Sequence, residues 1–177
     1  LLTAPDMRGR LRRIRERGGR VVVIDPRRTR TAEVADEHHF IRPGHDAHLL
    51  MAMARVLFDE DLVDLGTVAG HVEGLERVRE IVADFTPEAV APACGIAPEQ
   101  IRRLARELAG AERAAVYGRI GTTTQSYGTL TSWLVDVLNL LTGNLDREGG
   151  AMFTRAAAGQ RNSVGRAGQG RGFAVGR

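Results

Sequence analysis

Val21-Val22-Val23-Ile24-Asp25, closed by Pro26, limits what this chain can fold into more than any other stretch. A run of β-branched apolar residues predicts a strand covered on both faces, as in a parallel sheet. Pro26 has no N–H to give to a ladder, so the strand stops with Asp25 at its carboxyl end. Open α/β sheets bind ligands along that edge. An aspartate placed there can accept hydrogen bonds from a ribose or a purine. Arg27, Arg28 and Arg30 follow as phosphate donors. A turn or capping aspartate beside solvated arginines is the plainer reading of the same residues.

The rest of the chain extends this α/β beginning. Asp6 to Arg17 predicts a basic helix with Met7, Leu11 and Ile14 at helical spacing, ended by Gly18-Gly19. A short helix around Thr31–Ala35 follows the strand, capped by Thr29 or Thr31, and His39-Phe40-Ile41 reads as a second strand. Ala47 to about Asp59 is a strong helix with one apolar stripe, capped by Asp46. A helical insertion is expected at about 62–110, with helices opening at Thr86-Pro87 and Ala97-Pro98. Ala114–Tyr117 returns to a strand, and Gly128–Leu141 is a long apolar helix. The fold predicted for residues 1–155 is a three-layer, Rossmann-like α/β domain, its mostly parallel sheet flanked by helices. Residues 156–177, rich in glycine and arginine, are expected to be flexible in isolation.

Composition narrows the functional classes. Hydrophobic residues make up 43% and aromatic residues 5%, which suits an aliphatic core. All 25 basic residues are arginine, and 22 acids interspersed among them leave a net charge of +3. Without basic–aromatic alternation, that balance argues against nucleic acid as a partner. No apolar run approaches the ~20 residues of a membrane span, and a cytoplasmic location is expected. Cys94, the single cysteine, can make no internal disulfide and cannot hold an iron–sulfur cluster. His38, His39, His45 and His48 lack ligand spacing, since neighbours in a strand point to opposite faces. They read as packing or solvent histidines, and no metal site is expected.

Two further segments carry chemistry. Arg42-Pro43-Gly44-His45-Asp46 closes the second strand as Asp25-Pro26-Arg27 closes the first, so one rim would present two acids and two arginines. Asp46 can accept from the adjacent N–H donors of a guanine, or serve as a plain helix cap, or do both. The loop Tyr117–Gln125 places Gly118, Arg119, Gly121 and three threonines between a strand and a helix. Its glycines allow close backbone approach, and its hydroxyls and amide offer bonds to an anion or heterocycle. It matches neither the P-loop nor the dinucleotide fingerprint.

In this order and spacing the motifs resemble the molybdopterin oxidoreductases of the dimethyl-sulfoxide-reductase family. They are Val22–Arg27, Arg42-Pro43-Gly44-x-Asp46, the Gly118–Gln125 loop, Leu140–Leu145 with Gly149-Gly150, and Gly159-Gln160-Arg161-Asn162. The resemblance implies a domain that holds a molybdopterin guanine dinucleotide carrying molybdenum or tungsten. Asp25 and Arg27 would lie along the nucleotide, and Gly44 and Asp46 would read the guanine. Gly118, Arg119, Gly121, Gln125, Gly143 and Asn144 would face the pyrophosphate or pterin, and Gly159 and Gln160 would approach the pterin. His45 stands where many relatives carry a small residue.

No catalytic residue is expected here, because the resemblance places the metal ligand and the iron–sulfur cysteines upstream. The chain is thus expected to be an internal piece of an enzyme acting on a small formate- or nitrate-type substrate, inactive alone and partnered by the parent's remaining domains. The rival readings are a nucleotide-binding regulatory or interaction module with no redox role, and a small nucleotide-using transferase.

Overall fold

The centre of the molecule is one helix wrapped by three others. The computed structural model describes residues 5–153. In it α3 (Asp46–Asp59) buries ten of its fourteen residues, among them Leu49, Leu50, Met53, Val56, Leu57 and Phe58. The sequence predicts a single apolar stripe. Instead α5 (Pro87–Cys94), α6 (Pro98–Gly110) and α8 (Gly128–Leu141) pack around α3, so it is apolar on nearly every side. Ala47, Ala52 and Ala54, all buried, let these neighbours come close.

Local signals fix most helix ends. Asp6 caps α1 (Met7–Glu16) by accepting from Gly9 N at 3.2 Å. Thr29 caps α2 (Arg30–Val34), and Thr86 caps α5 with Pro87 at the first helical position. The expected helical insertion is present as a 3-10 turn at Gly66–His71, α4 (Leu75–Ile81), α5 and α6. A one-turn helix, α7 (Ile120–Thr123), precedes α8. Among the described residues no helix is long and apolar enough to cross a membrane.

The sheet is smaller than the sequence predicts. Among the described residues it has two parallel strands, β1 (Val22–Ile24) and β2 (Glu37–His39), in the register Val22↔Glu37, Val23↔His38 and Ile24↔His39. The fold of these residues is mostly helical α/β with this small parallel sheet. Val22, Val23 and Ile24 are half-buried rather than covered on both faces. The second strand lies two residues earlier than the apolar pattern His39–Ile41 suggests. Asp36 and Glu37 give their N–H groups to Val21 O, which starts the pairing there. Glu37, a poor strand former, is tied down by Arg20 and by Arg103 on α6, and Arg103 also reaches Glu107 at 3.0 Å. These bonds, Arg103 foremost, hold the Glu37 carboxyl down at about 2.

Ala114–Tyr117 joins no ladder. Side chains take the place of a neighbouring strand: Asn139 Oδ1 accepts from Val116 N and Asn139 Nδ2 donates to Val116 O, both at 2.9 Å. Asn144 Oδ1 accepts from Ala114 N at 2.9 Å. Buried backbone groups must find partners, and two carboxamides supply them here.

Candidate functional site

β1 and β2 run parallel, so both end on one edge of the sheet. Asp25 follows β1 directly and prolongs the pairing, its N–H donating to His39 O at 3.1 Å. Its carboxylate Oδ1 accepts from Arg27 N at 2.8 Å, closing a turn that leaves the Arg27 side chain exposed. Asp25 thus does the work of a turn aspartate, and one hydrogen bond leaves most of its acceptor positions unused.

From β2 the chain passes through buried Ile41 to Gly44, which takes φ +83°. Only glycine adopts that conformation without strain. The residue at the cap position of α3 is His45, not Asp46, and no side chain caps this helix. His45 Nδ1 lies 3.1 Å from Pro43 O, so that nitrogen carries the proton and donates. Asp46 opens the first turn of α3, where a carboxylate suits the helix dipole. Its Oδ2 accepts from Gln125 Nε2 at 2.9 Å, across 79 residues of sequence.

Gln125 closes the glycine loop. Its Nε2 also donates to Thr122 O at 3.1 Å. Both neighbours of that nitrogen are acceptors, which fixes the amide's orientation. The other end, Oε1, is buried and has no hydrogen-bond partner. It faces Gly44: a Cβ built there would stand 3.5 Å from it. The loop's seat on α8 depends on Gly128, where a Cβ would fall 2.0 Å from Thr123 O.

The threonines of the loop turn inward. Thr122 Oγ1 donates to Arg119 O at 2.6 Å, and Thr123 and Thr124 each donate to Ile120 O. With their protons committed, these hydroxyls are acceptors and not the anion donors that the sequence suggests. Arg119 Nη1 donates to the Tyr117 hydroxyl at 3.0 Å, and Gly121 is exposed.

One turn into α3, His48 packs edge-on against Phe85 and Tyr127, with ring centroids 6.3 and 6.2 Å away, and stands 5.1 Å from His45. Burial, helped by His45, lowers its pKa, so the imidazole is neutral. Its Nδ1 is buried without a partner. Sequence reading takes His48 as a packing or solvent histidine, and it packs; what it does not show is that the aromatic neighbours come from distant segments.

Gly143 and Asn144 are not brought to this rim: they follow the far end of α8, where Asp64 N donates to Leu141 O at 2.9 Å. Gly143, at φ +66°, packs against Asp64 and Gly66. Asn144 is wholly buried, its amide divided between Ala114 N, Thr142 O and Thr142 Oγ1. Asn139 is the residue that sequence reading overlooks. Its signal is an amide in the apolar run Leu134–Leu141. Gly159 and Gln160 lie outside the described residues. No group of three or more His, Cys, Asp or Glu among the described residues is arranged to hold a metal ion.

A family model described as molybdopterin oxidoreductase matches residues 1–174. Formate dehydrogenase H of Escherichia coli is 38% identical over 130 residues, covering 73% of this chain and 18% of that protein. The F420-dependent formate dehydrogenase subunit alpha of Methanocaldococcus jannaschii is 35% identical over 140 residues, covering 79% and 21%. A nitrate reductase of Synechocystis is 33% identical over 146 residues, covering 82% and 20%. Among solved structures, acetylene hydratase from Pelobacter acetylenicus superposes with a TM-score of 0.71 at 30% identity, over 76% of this chain and 19% of that one. The chain therefore spans about a fifth of the relatives it matches.

Proposed function

The chain belongs to the molybdopterin oxidoreductase family, and on that premise we propose that it grips the guanine dinucleotide end of a molybdopterin guanine dinucleotide within a larger molybdenum or tungsten enzyme. The convergence of Gly44, Asp46 and Gln125 at the head of α3 carries this reading. A carboxylate has about four lone-pair positions, and the bond from Gln125 uses one. Asp46 so retains acceptors for the adjacent N–H groups of a guanine, and the uncapped first turn of α3 offers backbone N–H groups to an anion.

Asp25 and Arg27 serve the same nucleotide from the end of β1, the carboxylate toward the ribose and the guanidinium toward phosphate. Gly118, Arg119 and Gly121 line the approach to the pyrophosphate. Gly143 and Asn144, at the opposite end of α8, belong to the proposal on the resemblance alone, as do Gly159 and Gln160. When bound, the group supplies a metal centre for two-electron chemistry, and the residues of this chain hold and orient its distal end. Formate- or nitrate-type chemistry in the whole protein belongs to the same proposal, because relatives named for both share 33% to 38% identity with this chain.

The test is Asp46→Ala in the full-length protein, read as guanine nucleotide released by acid per polypeptide. Leaving guanine donors unpaired costs about 1–3 kcal/mol, so affinity should fall roughly 5- to 150-fold and the nucleotide content should drop with it. A variant that keeps its full nucleotide content would overturn the assignment. Preference for adenosine over guanosine diphosphate in the cofactor-free protein would favour the nucleotide-binding module instead.

A further inference from the structure

Ala114–Tyr117 is extended like a strand but is paired on one side only. Residues of a strand send their N–H and C=O groups to opposite edges in turn. Ala114 and Val116 turn theirs toward α8, where Asn144 and Asn139 bond Ala114 N, Val116 N and Val116 O. Ala115 and Tyr117 face the other way, and among the described residues their backbone groups make no hydrogen bond. Both residues are exposed, Tyr117 at 66%. Val116 packs on the same core as Val22 and Ile24 of β1, and the loop that follows reaches the rim where β1 and β2 end. The segment therefore lies in the layer of the small sheet and runs toward the same rim.

Natural sheets blunt an open edge with proline or charge. Ala115-Val116-Tyr117 carries neither, and an exposed aromatic ring ends it. An edge left bare in this way suits strand addition, in which backbone bonds supply the affinity. The chain spans about a fifth of the relatives it matches, and proteins of that length have ample polypeptide outside this stretch to provide a strand. We propose that the Ala115–Tyr117 edge is a docking site for an extended segment from another part of the full-length polypeptide, which adds to it as a β-strand. This goes beyond the nucleotide reading and does not rest on it, since neither Asp46 nor Gln125 takes part. A second copy of the chain or a separate protein would offer the same backbone groups. Occupancy in the purified full-length protein, unchanged by dilution, tells the three apart.

The experiment is amide hydrogen exchange on the purified full-length protein, resolved to single residues by mass spectrometry and run at a high and a low protein concentration. Ala115 and Tyr117 should exchange roughly a hundredfold or more slower than an unstructured amide, equally at both concentrations. Val116, bonded to Asn139 in any case, should be slow as well. Fast exchange at Ala115 and Tyr117 means that water and not a strand serves the edge, and overturns the proposal. Protection that falls on dilution assigns the edge to a second copy and overturns it too. Ala115→Pro removes one edge N–H and keeps the residue before it extended. In that variant Tyr117 exchange should quicken while Val116 stays slow. An unchanged Tyr117 would mean that another surface covers the edge without pairing to it, which also overturns the proposal. Should Ala115→Pro not fold, the wild-type exchange decides alone.

Discussion

Asn139 holds Val116 by both of its backbone groups, with Nδ2 donating to its carbonyl and Oδ1 accepting from its N–H, each at 2.9 Å. A carboxamide on a helix here copies the donor–acceptor face of a strand. Val116 keeps an extended course with no second strand beside it among the described residues. The chain enters the glycine loop immediately afterward, so this clamp sets where the loop begins.

Asn139→Leu keeps the number of side-chain heavy atoms and removes both bonds to Val116, with the one to Val135 O. Asn139 is 1% exposed, so no water replaces them. The loss should be about 2 kcal/mol or more, read as a lowered midpoint in urea unfolding. Asn139→Asp preserves one acceptor but buries a charge, and should be no better. An unchanged midpoint for Asn139→Leu would mean that Val116 is held by something else.

Acid should loosen the joint between β2 and α6. Glu37 titrates near 4.5 when unpaired and at about 2 in the fold, chiefly because Arg103 bonds it. A depressed carboxylate contributes stability that is complete above the unfolded value and disappears as pH falls toward the folded one. The loss should therefore develop between pH 4.5 and 2, on the order of 2 kcal/mol for a side chain only 19% exposed. Glu37→Gln should be less stable at neutral pH and flatter through this window. Equal slopes for the two proteins in acid would exclude the joint as the cause.

Gly44→Ala tests backbone conformation apart from space. A methyl group fits, at 3.5 Å from Gln125 Oε1, but φ is +83°. The strain should cost about 1–2 kcal/mol, seen as a lower melting temperature. Gly44→Asn should cost less, since asparagine tolerates the left-handed region. Equal melting temperatures for wild type and Gly44→Ala would mean that the turn relaxes.

The helices were legible because their determinants are local. Asp6, Thr29 and Thr86-Pro87 each announce a helix start within a few residues. The second strand was displaced because apolar periodicity favours Phe40 and Ile41, whereas Glu37 is made tolerable by Arg103, 66 residues away. Ala114–Tyr117 has strand-like composition, but nothing in it reveals that amides of α8 and the following turn replace a neighbour. Asp46 was recognisable as the acid at a helix start, yet its partner Gln125 lies 79 residues downstream. Pattern along the chain finds what neighbours decide; pairs that meet through the core stay hidden from it.

With α3 enclosed by α5, α6 and α8, its head cannot swing to meet an incoming molecule without disturbing the packed interior. On the proposed reading, Asp46 meets its ligand from a fixed position. On the same reading, any local adjustment falls to the exposed single turn of α7 across from it, which buries none of its residues.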